Sequence, residues 1–176
     1  MERHDEAIIR RLPTLLDSDI EQLAAVLIDC VQGGASVTFM HPLARQTALD
    51  FWRRIAGDVA GGRRALLVAC STVGIVGTVQ VILDQPENQP HRADVAKMLV
   101  HRRARRRGIG SALMRAAEDS ARSAGKTLLV LDTVTGGDAE RLYTRLGWIL
   151  AGTVPDYALW PHGGLCGTSF YYRKLA

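Results

Sequence analysis

The segment from Arg105 to Gly110 carries the residue types of a loop that binds phosphate groups. It lies between a run typical of a β-strand and a pattern typical of a helix. Main-chain amides at a helix N-terminus point outward at the positive end of the helix dipole, where anions such as a pyrophosphate bind. Gly108 and Gly110 would let an anion approach the backbone closely, and the adjacent arginines would neutralise its charge. These features predict a site for a phosphate-bearing ligand.

The basic character of this stretch also fits other partners. The chain has a formal net charge of +4, and five arginines are concentrated here: Arg102, Arg103, Arg105, Arg106 and Arg107. Such a run is typical of a solvated surface or a nucleic-acid site as well. No recognition helix and no aromatic residues for base stacking accompany it, which favours a small ligand and predicts no nucleic-acid partner. A dinucleotide fingerprint would need a third glycine, and a P-loop would need Gly-Lys-Ser/Thr.

Apolar patterns predict the elements that must position this loop. Strands are predicted at 7–12, 65–70, 75–83, 93–100, 127–131, 148–154 and 168–174, and helices at 18–31, 42–59, 108–124 and 138–146. Ser18 followed by Glu21 has the spacing of a capping box at the first helix. The continuous apolar run at 127–131 predicts a strand buried on both faces, and its helical connection to strand 93–100 predicts a parallel pair. The fold class is therefore α/β with a mixed sheet.

Three elements together resemble the acetyl-CoA motif of the GNAT superfamily of N-acetyltransferases. They are Arg105-x-x-Gly108-x-Gly110, the preceding Met98-Leu99-Val100, and the later Tyr143-x-x-x-Gly147-Trp148. Within the superfamily the chain resembles the tabtoxin-resistance acetyltransferases over nearly its whole length. The stretches that carry this second resemblance are Gly33 to Val37, Phe39-Met40, Asp94-Val95, Lys97-Met98, Leu131 to Thr133, Pro155, Tyr157, Tyr171 and Lys174-Leu175.

The resemblance implies a GNAT fold in one domain, residues 1–176. Its mostly antiparallel sheet would contain a central parallel pair of splayed strands, flanked by helices. Acetyl-CoA would be the co-substrate, with its pantetheine arm between the strands that end at Val100 and Asp132 and its acyl group beside Leu99. The implied cofactor-binding residues are Met98, Leu99, Val100, Arg105, Arg106, Arg107, Gly108, Ile109, Gly110 and Ser111. Gly136 and Gly137 depart from the family, since many members carry an Asn there.

Three side chains are candidates for catalysis. Asp94 or Asp132 would deprotonate or anchor the ammonium group of an acceptor, and the Tyr143 hydroxyl would protonate or hydrogen-bond the departing thiolate. A main-chain amide near Leu99 would stabilise the oxyanion if the strand bulges. The alternatives are that Tyr143 packs in the core and that both carboxylates are caps or ion-pair partners. The predicted substrate-binding residues are Gly34, Ser36, Phe39, Asp94, Asp132 and Tyr157.

The sequence thus predicts an N-acetyltransferase for a small-molecule amine, such as an amino-acid-type toxin or antibiotic. A protein N-terminal or lysine acetyltransferase and a non-catalytic acyl-CoA sensor are the alternatives. The cysteines are too far apart for a disulfide framework and the histidines lack metal-ligand spacing, so we expect no metal. Charged residues at Met1 to Asp5 and the lack of a long apolar run predict a cytoplasmic protein without a membrane partner. It would be a monomer or a homodimer.

Overall fold

The computed structural model of the chain describes residues 7–175, so the Met1 to Asp5 segment lies outside the described residues. The strands are β1 Ile8–Leu12, β2 Arg64–Ser71, β3 Gly74–Ile82, β4 Arg92–Val100, β5 Leu128–Val134, β6 Ile149–Leu159 and β7 Leu165–Lys174. The helices are α1 Asp17–Gln32, α2 Arg45–Ala60, α3 Ile109–Ser123 and α4 Asp138–Arg145, and a 3-10 turn covers Arg102–Ala104. Within the described residues, no helix has the length and apolar character needed to cross a membrane.

The seven strands form one sheet in the order β1-β2-β3-β4-β5-β7-β6. Every neighbouring pair is antiparallel except β4 and β5, which are parallel and connected through α3. A parallel pair needs such a crossover because the chain must return to the same end of the sheet. The predicted α/β fold with a mixed, mostly antiparallel sheet and a central parallel pair is confirmed.

The parallel strands are splayed. Only Arg92–Asp94 of β4 pairs with β5, opposite Leu128–Val130. Beyond these residues β4 keeps its pairing with β3, and β5 keeps its pairing with β7. The two strands therefore diverge toward their carboxyl ends and leave a gap, which we call the wedge. Backbone groups that border the wedge are not used in a ladder between β4 and β5, so they are available to a ligand.

Helices cover both faces of the sheet because strand residues alternate between the faces. On one face, α1 and α2 form a core with Trp52 and Leu66. On the other face, α3 and α4 pack with Leu113 and Leu129 in a second core. We call the first the acceptor face and the second the cofactor face. The wedge opens between the two layers.

Two local predictions were wrong. Helix α1 begins at Asp17, and the Leu16 amide before it donates to Asp19 Oδ2 at 2.9 Å, so Ser18 and Glu21 do not form the expected capping box. Strand β5 is fully buried on the cofactor face alone. Leu129 and Leu131 are buried there, whereas on the other face Leu128 and Val130 are half-buried and Asp132 is exposed.

Candidate active site

A β-bulge in β4 shapes the site at the wedge. Thr78 of β3 is opposite Leu99, whereas Gln80 is opposite Ala96, so β4 holds an additional residue in this stretch. Lys97, within the bulge, has a positive φ of 51°. A bulge leaves backbone groups outside the ladder. The bulge on which the oxyanion role near Leu99 depends is present, and it begins three residues beyond Asp94, the last β4 residue that pairs with β5.

The N-terminus of α3 is open to an anion. Gly108 precedes the helix with φ 76° and provides no side-chain cap. A Cβ at this position would have no heavy atom within 4 Å, so the loop faces open space. The amides of the first helical turn have no acceptor within their own helix. Gly108 therefore supplies both the left-handed conformation and the free approach that a phosphate group needs.

Gly110 has a different role from Gly108. A Cβ on Gly110 would lie 3.1 Å from Leu142 Cδ2 and 3.8 Å from Met98 Sδ. This glycine therefore lets α3 pack closely against α4 and β4. Ile109 is buried in the same core, and Met98 and Val100 pack against that core. The side chains of these three predicted cofactor-binding residues therefore belong to the core beneath the loop.

The arginines of the loop divide into two groups. Arg105 Nε donates to the Val100 carbonyl at 3.0 Å, and Arg102 Nε lies 2.9 Å from Asp29 Oδ1. These two arginines fasten the loop to β4 and α1. The guanidinium groups of three others form no hydrogen bond or ion pair within residues 7–175: Arg103, Arg106 and Arg107. The second group has cationic side chains available for phosphate, whereas a phosphate contact of Arg105 stays a prediction.

Asp29 was missed in the sequence, although it fixes the start of the loop. Its Oδ2 accepts from the Arg102 amide at 2.8 Å and lies 3.4 Å from His101 Nδ1. Burial works to raise the pKa of Asp29, but the hydrogen bonds from Arg102 and the nearby His101 hold the pKa below its ordinary value. A charged aspartate on α1 is otherwise unremarkable, so no sequence signal identified it.

Tyr143 on α4 is buried with 5% of its surface exposed. Its ring is 6.1 Å from that of Trp148 and 6.2 Å from that of Tyr171. Burial raises the pKa of Tyr143, and the negative charge of Asp132 raises it further. The phenol therefore keeps its proton near neutral pH. Among the described residues its hydroxyl has no hydrogen-bond partner, which leaves it free to donate to a ligand.

Lys97 is a second residue near the wedge that the sequence-based prediction did not include in the site. Its Nζ lies 5.9 Å from the centroid of the Phe51 ring on the acceptor face. Burial lowers the pKa of Lys97, while the charge of Asp132 opposes this shift and the charge of Arg64 adds to it. Within the described residues, neither Lys97 nor Asp132 forms an ion pair within 4.0 Å. A lysine in the apolar run of β4 was the available signal.

Of the two predicted carboxylates, Asp132 is the one that interacts with other residues of the site. Its charge acts on both Lys97 and Tyr143. Asp94 is instead the third residue of β4 and lies in the paired part, opposite Val130. The expectation that Asp94 ends its strand beside Asp132 was wrong.

The carboxylate of Asp94 is already occupied. It forms an ion pair with Arg92 and accepts from Gln85 Nε2 at 3.1 Å. A carboxylate that already forms an ion pair and accepts a hydrogen bond is less available to a substrate. A structural role for Asp94, one of the alternatives considered for it, is therefore favoured by these contacts.

Aromatic pairs connect two of the predicted substrate residues to the wedge. Phe39 packs edge-to-face on Phe51 at 5.3 Å, below Lys97. Tyr157 packs edge-to-face on Phe170 at 5.6 Å, and Phe170 is the β7 partner of Asp132.

The other two predicted substrate residues, Ser36 and Gly34, form contacts at the end of α1 and with the hairpin of β6 and β7. Ser36 Oγ donates to the Leu159 carbonyl at 3.3 Å, which ties the loop after α1 to the hairpin of β6 and β7. Gly34, with φ 90°, follows the end of α1, and its amide donates to the Val31 carbonyl. Neither hydrogen bond joins these residues to β4 or β5.

The chain matches a known sequence family over most of this region. The profile of the Acetyltransferase (GNAT) family covers residues 34–148, which is more than half of the chain and includes the loop, the bulge and Tyr143. The chain belongs to the GNAT acetyltransferase family. As a GNAT enzyme it is an acetyl-CoA-dependent N-acetyltransferase.

Individual proteins similar to this GNAT chain agree with the family. An N-acetyltransferase of the hisH-hisA intergenic region of Azospirillum brasilense is 28% identical over 129 residues, covering 72% of this chain and 75% of the relative. The acetyltransferase yncA of Salmonella typhimurium, solved with its cofactor acetyl-CoA, has a TM-score of 0.78 at 17% identity and covers 97% of this chain and 95% of its own. A phosphinothricin acetyltransferase of Sinorhizobium meliloti in complex with acetyl-CoA has a TM-score of 0.80 at 18% identity, with 97% and 89% covered. These structures share the fold.

The arrangement in this GNAT enzyme suits acyl transfer to an amine. The wedge separates a cofactor face, with the open α3 N-terminus and Tyr143, from an acceptor face, with Lys97 and Phe51. Asp132 interacts electrostatically with residues of both. Within residues 7–175, no cluster of three or more His, Cys, Asp or Glu side chains could hold a metal ion.

Proposed function

We propose that this enzyme acetylates the amino group of a small molecule that also carries an anionic group, such as an amino acid. The supporting observation is the pair of opposite charges at the wedge, Lys97 and Asp132, neither of which forms an ion pair within 4.0 Å among the described residues. Lys97 is partly buried, and a partly buried charge without a partner costs free energy that a ligand of opposite charge offsets. Asp132 would bind the ammonium group of the acceptor, and Lys97 would bind its anion.

Acetyl-CoA would bind on the cofactor face. Its pyrophosphate would accept hydrogen bonds from the first amides of α3, with the cations of Arg103, Arg106 and Arg107 around it. The pantetheine arm would enter the wedge, where β4 and β5 have unpaired backbone groups. This path leads the thioester to the bulge near Leu99.

The reaction would be direct attack of the neutral amine on the thioester carbonyl. Asp132 would accept the proton of the ammonium group, directly or through water. A main-chain amide of the bulge would stabilise the oxyanion. The high pKa of Tyr143 makes full proton transfer to a thiolate unfavourable, since an ordinary thiol has a pKa of about 8.5. Tyr143 would therefore stabilise the leaving thiolate by donating a hydrogen bond.

An amino-acid-type toxin or antibiotic is the acceptor class that we favour. The resemblance to tabtoxin-resistance acetyltransferases supports it, and so does the charged pair at the wedge. A protein N-terminus or a lysine side chain is the alternative acceptor, and it would present an amine without a fixed anion nearby.

A thiol-release assay with matched acceptors tests the proposal. Each α-amino acid is compared with the primary amine that lacks its carboxylate, and short peptides form a third group. We expect kcat/KM to favour the amino acid by about tenfold or more, since one charge-assisted hydrogen bond contributes about 1.5–3 kcal/mol. Lys97→Met should remove this preference and retain acetyl-CoA binding. Equal rates for both members of every pair, or a preference for peptides, would contradict an anionic small-molecule acceptor.

The exposed surface of β6 favours a homodimer over a monomer. This edge strand exposes Ile149, Leu150, Val154, Tyr157 and Leu159, and its only ionisable carboxylate is Asp156. An antiparallel edge can pair with its own copy about a twofold axis, which buries the same apolar row on both chains. Light scattering after size exclusion should give twice the chain mass, and Val154→Lys should shift the protein to a monomer.

A cytoplasmic location is our proposal as well. Cys30, Cys70 and Cys166 are all free thiols, as in proteins from a reducing compartment.

A further inference from the structure

Lys97 is itself a primary amine at the wedge, and it forms no ion pair within residues 7–175. Its Nζ lies over the Phe51 ring, 5.9 Å from the ring centroid. Within the described residues its Nζ donates no hydrogen bond. Burial lowers the pKa of Lys97; the charge of Asp132 opposes this shift, and the charge of Arg64 adds to it. A neutral, nucleophilic amine is therefore easier to form here than on an exposed lysine.

The other lysines of the chain, Lys126 and Lys174, have different surroundings. Lys126 Nζ donates to the Leu83 carbonyl at 2.9 Å and to the Pro90 carbonyl at 2.8 Å. Lys174 is exposed at the end of β7. Lys97 therefore lies at the wedge, Lys126 has a structural role, and the exposed Lys174 serves as the reference for acetylation by acetyl-CoA free in solution.

The position of Lys97 matches that of an acceptor amine. Leu99, beside which the acyl group is proposed to bind, lies two residues further along β4. Because of the bulge, the three steps from Ala96 to Leu99 span the length of two regular strand steps, about 7 Å, so the main chain at Lys97 and Leu99 is separated by at most about 7 Å. The four-carbon side chain of lysine spans a comparable distance. The acceptor face also places Nζ on the side of the wedge from which an amine would approach.

We propose that, when no acceptor is bound, Lys97 Nζ takes the acetyl group from bound acetyl-CoA, so that the enzyme acetylates itself at this residue. This inference rests on the proposed function. The lone pair of the neutral nitrogen forms a C–N bond to the thioester carbonyl carbon. The C–S bond breaks, its electrons remain on sulfur, and the proton lost from nitrogen passes to the thiolate, directly or through water. The products are acetyl-lysine and CoA thiol.

Self-acetylation would change the acceptor site. It removes the cation at Lys97 and adds bulk beside Phe51, so the modified enzyme should be inactive toward anionic acceptors. A bound acceptor would occupy the same space, and its anion would favour the protonated, unreactive lysine. Acceptor binding should therefore protect the enzyme.

The test incubates the full chain with acetyl-CoA alone and measures acetylation of each lysine by peptide mass spectrometry. We expect Lys97 to react at least about tenfold faster than Lys174, because a bound donor has a high effective concentration. Gly108→Asp, which should lose acetyl-CoA binding, provides the matched control. It should abolish the excess rate at Lys97 and leave the slow reaction of Lys174 unchanged. Residual amine acetylation after the incubation should fall in proportion to the modified fraction.

Two results would overturn self-acetylation. One is a rate at Lys97 no higher than that at Lys174, and the other is a Lys97 rate that Gly108→Asp does not change. Thermal stabilisation by acetyl-CoA and turnover of added amines are measured in the same samples. A parent enzyme that binds acetyl-CoA and acetylates amines but leaves Lys97 unmodified refutes this inference alone. A parent enzyme without either activity refutes the proposed function together with it.

Discussion

Replacing Gly108 separates three effects at the phosphate loop: backbone strain, steric block and charge. Gly108 has φ 76°, so any side chain here must adopt a left-handed conformation, which costs about 1–2 kcal/mol for most residues. Asn and Asp tolerate this conformation better than other residues with a Cβ. A Cβ would meet nothing within 4 Å, so neither substitution should disrupt the fold. Gly108→Asn and Gly108→Asp are matched in shape and differ in charge.

The charge difference gives the expected magnitude. A carboxylate about 5 Å from a pyrophosphate with about two negative charges is repelled by roughly 1.7 kcal/mol even at the dielectric constant of water. Because about 1.4 kcal/mol corresponds to tenfold, Gly108→Asp should bind acetyl-CoA at least about tenfold more weakly than Gly108→Asn. Both should bind more weakly than the parent, since either side chain projects into the approach of the phosphate.

The assay is calorimetric titration with acetyl-CoA, supported by thermal denaturation without ligand. The two variants should have similar melting temperatures in the absence of ligand. Their difference in affinity should shrink at roughly 1 M salt, where the Debye length is about 3 Å. Equal acetyl-CoA affinities for the Asn and Asp variants at low salt would show that no phosphate group binds at this helix N-terminus.

Three further predictions concern the catalytic and supporting residues. Tyr143→Phe should lower kcat by about ten- to a hundredfold with little change in acetyl-CoA affinity, because it removes one hydrogen bond to a developing anion. Unchanged turnover would make Tyr143 a packing residue. Asp132→Asn should lower the rate of amine acetylation by about tenfold or more and alter its pH profile. Asp94→Asn should mainly lower the melting temperature, because Asp94 is already paired with Arg92. Equal losses of activity in the two variants would contradict a catalytic role for Asp132 and a structural role for Asp94. Asp29 has a lowered pKa, so its contribution to stability is present above its ordinary value of 3.8 and is lost as the pH falls further. In chemical denaturation, Asp29→Asn should therefore be less stable than the parent at neutral pH and should lose less stability as the pH falls. If the variant and the parent show the same dependence of stability on acidic pH, the Asp29 contacts do not have this effect.

The order and type of the elements followed from local patterns, and the fold class was confirmed. Alternation and helical periodicity act within a few residues, so they are visible in one sequence. The end of α1 at Gln32 is an example, because Gly33-Gly34 marks it. The start of α1 was missed by one residue, since the Asp19 side chain, and not the predicted Ser18, interacts with the backbone before the helix.

The site was predicted less completely than the fold, because its geometry depends on non-local contacts. Gly108 could be identified from the motif, since the left-handed turn and the helix start are local features. The close approach of Gly110 to Leu142 depends on how α3 packs on α4, which the sequence does not report. Lys97 gains its environment from Phe51 and Asp132, on two other elements, so its lowered pKa could not be derived from β4 alone.

A crystal structure with acetyl-CoA and the best amine acceptor is the measurement that tests the central claim most directly. The account predicts the thioester in the wedge between β4 and β5, with its carbonyl oxygen about 3 Å from a main-chain amide of the bulge near Leu99. The acceptor nitrogen should lie beside Asp132 and the acceptor anion beside Lys97. An acetyl group bound outside the wedge, or an acceptor that contacts neither charged side chain, would contradict it.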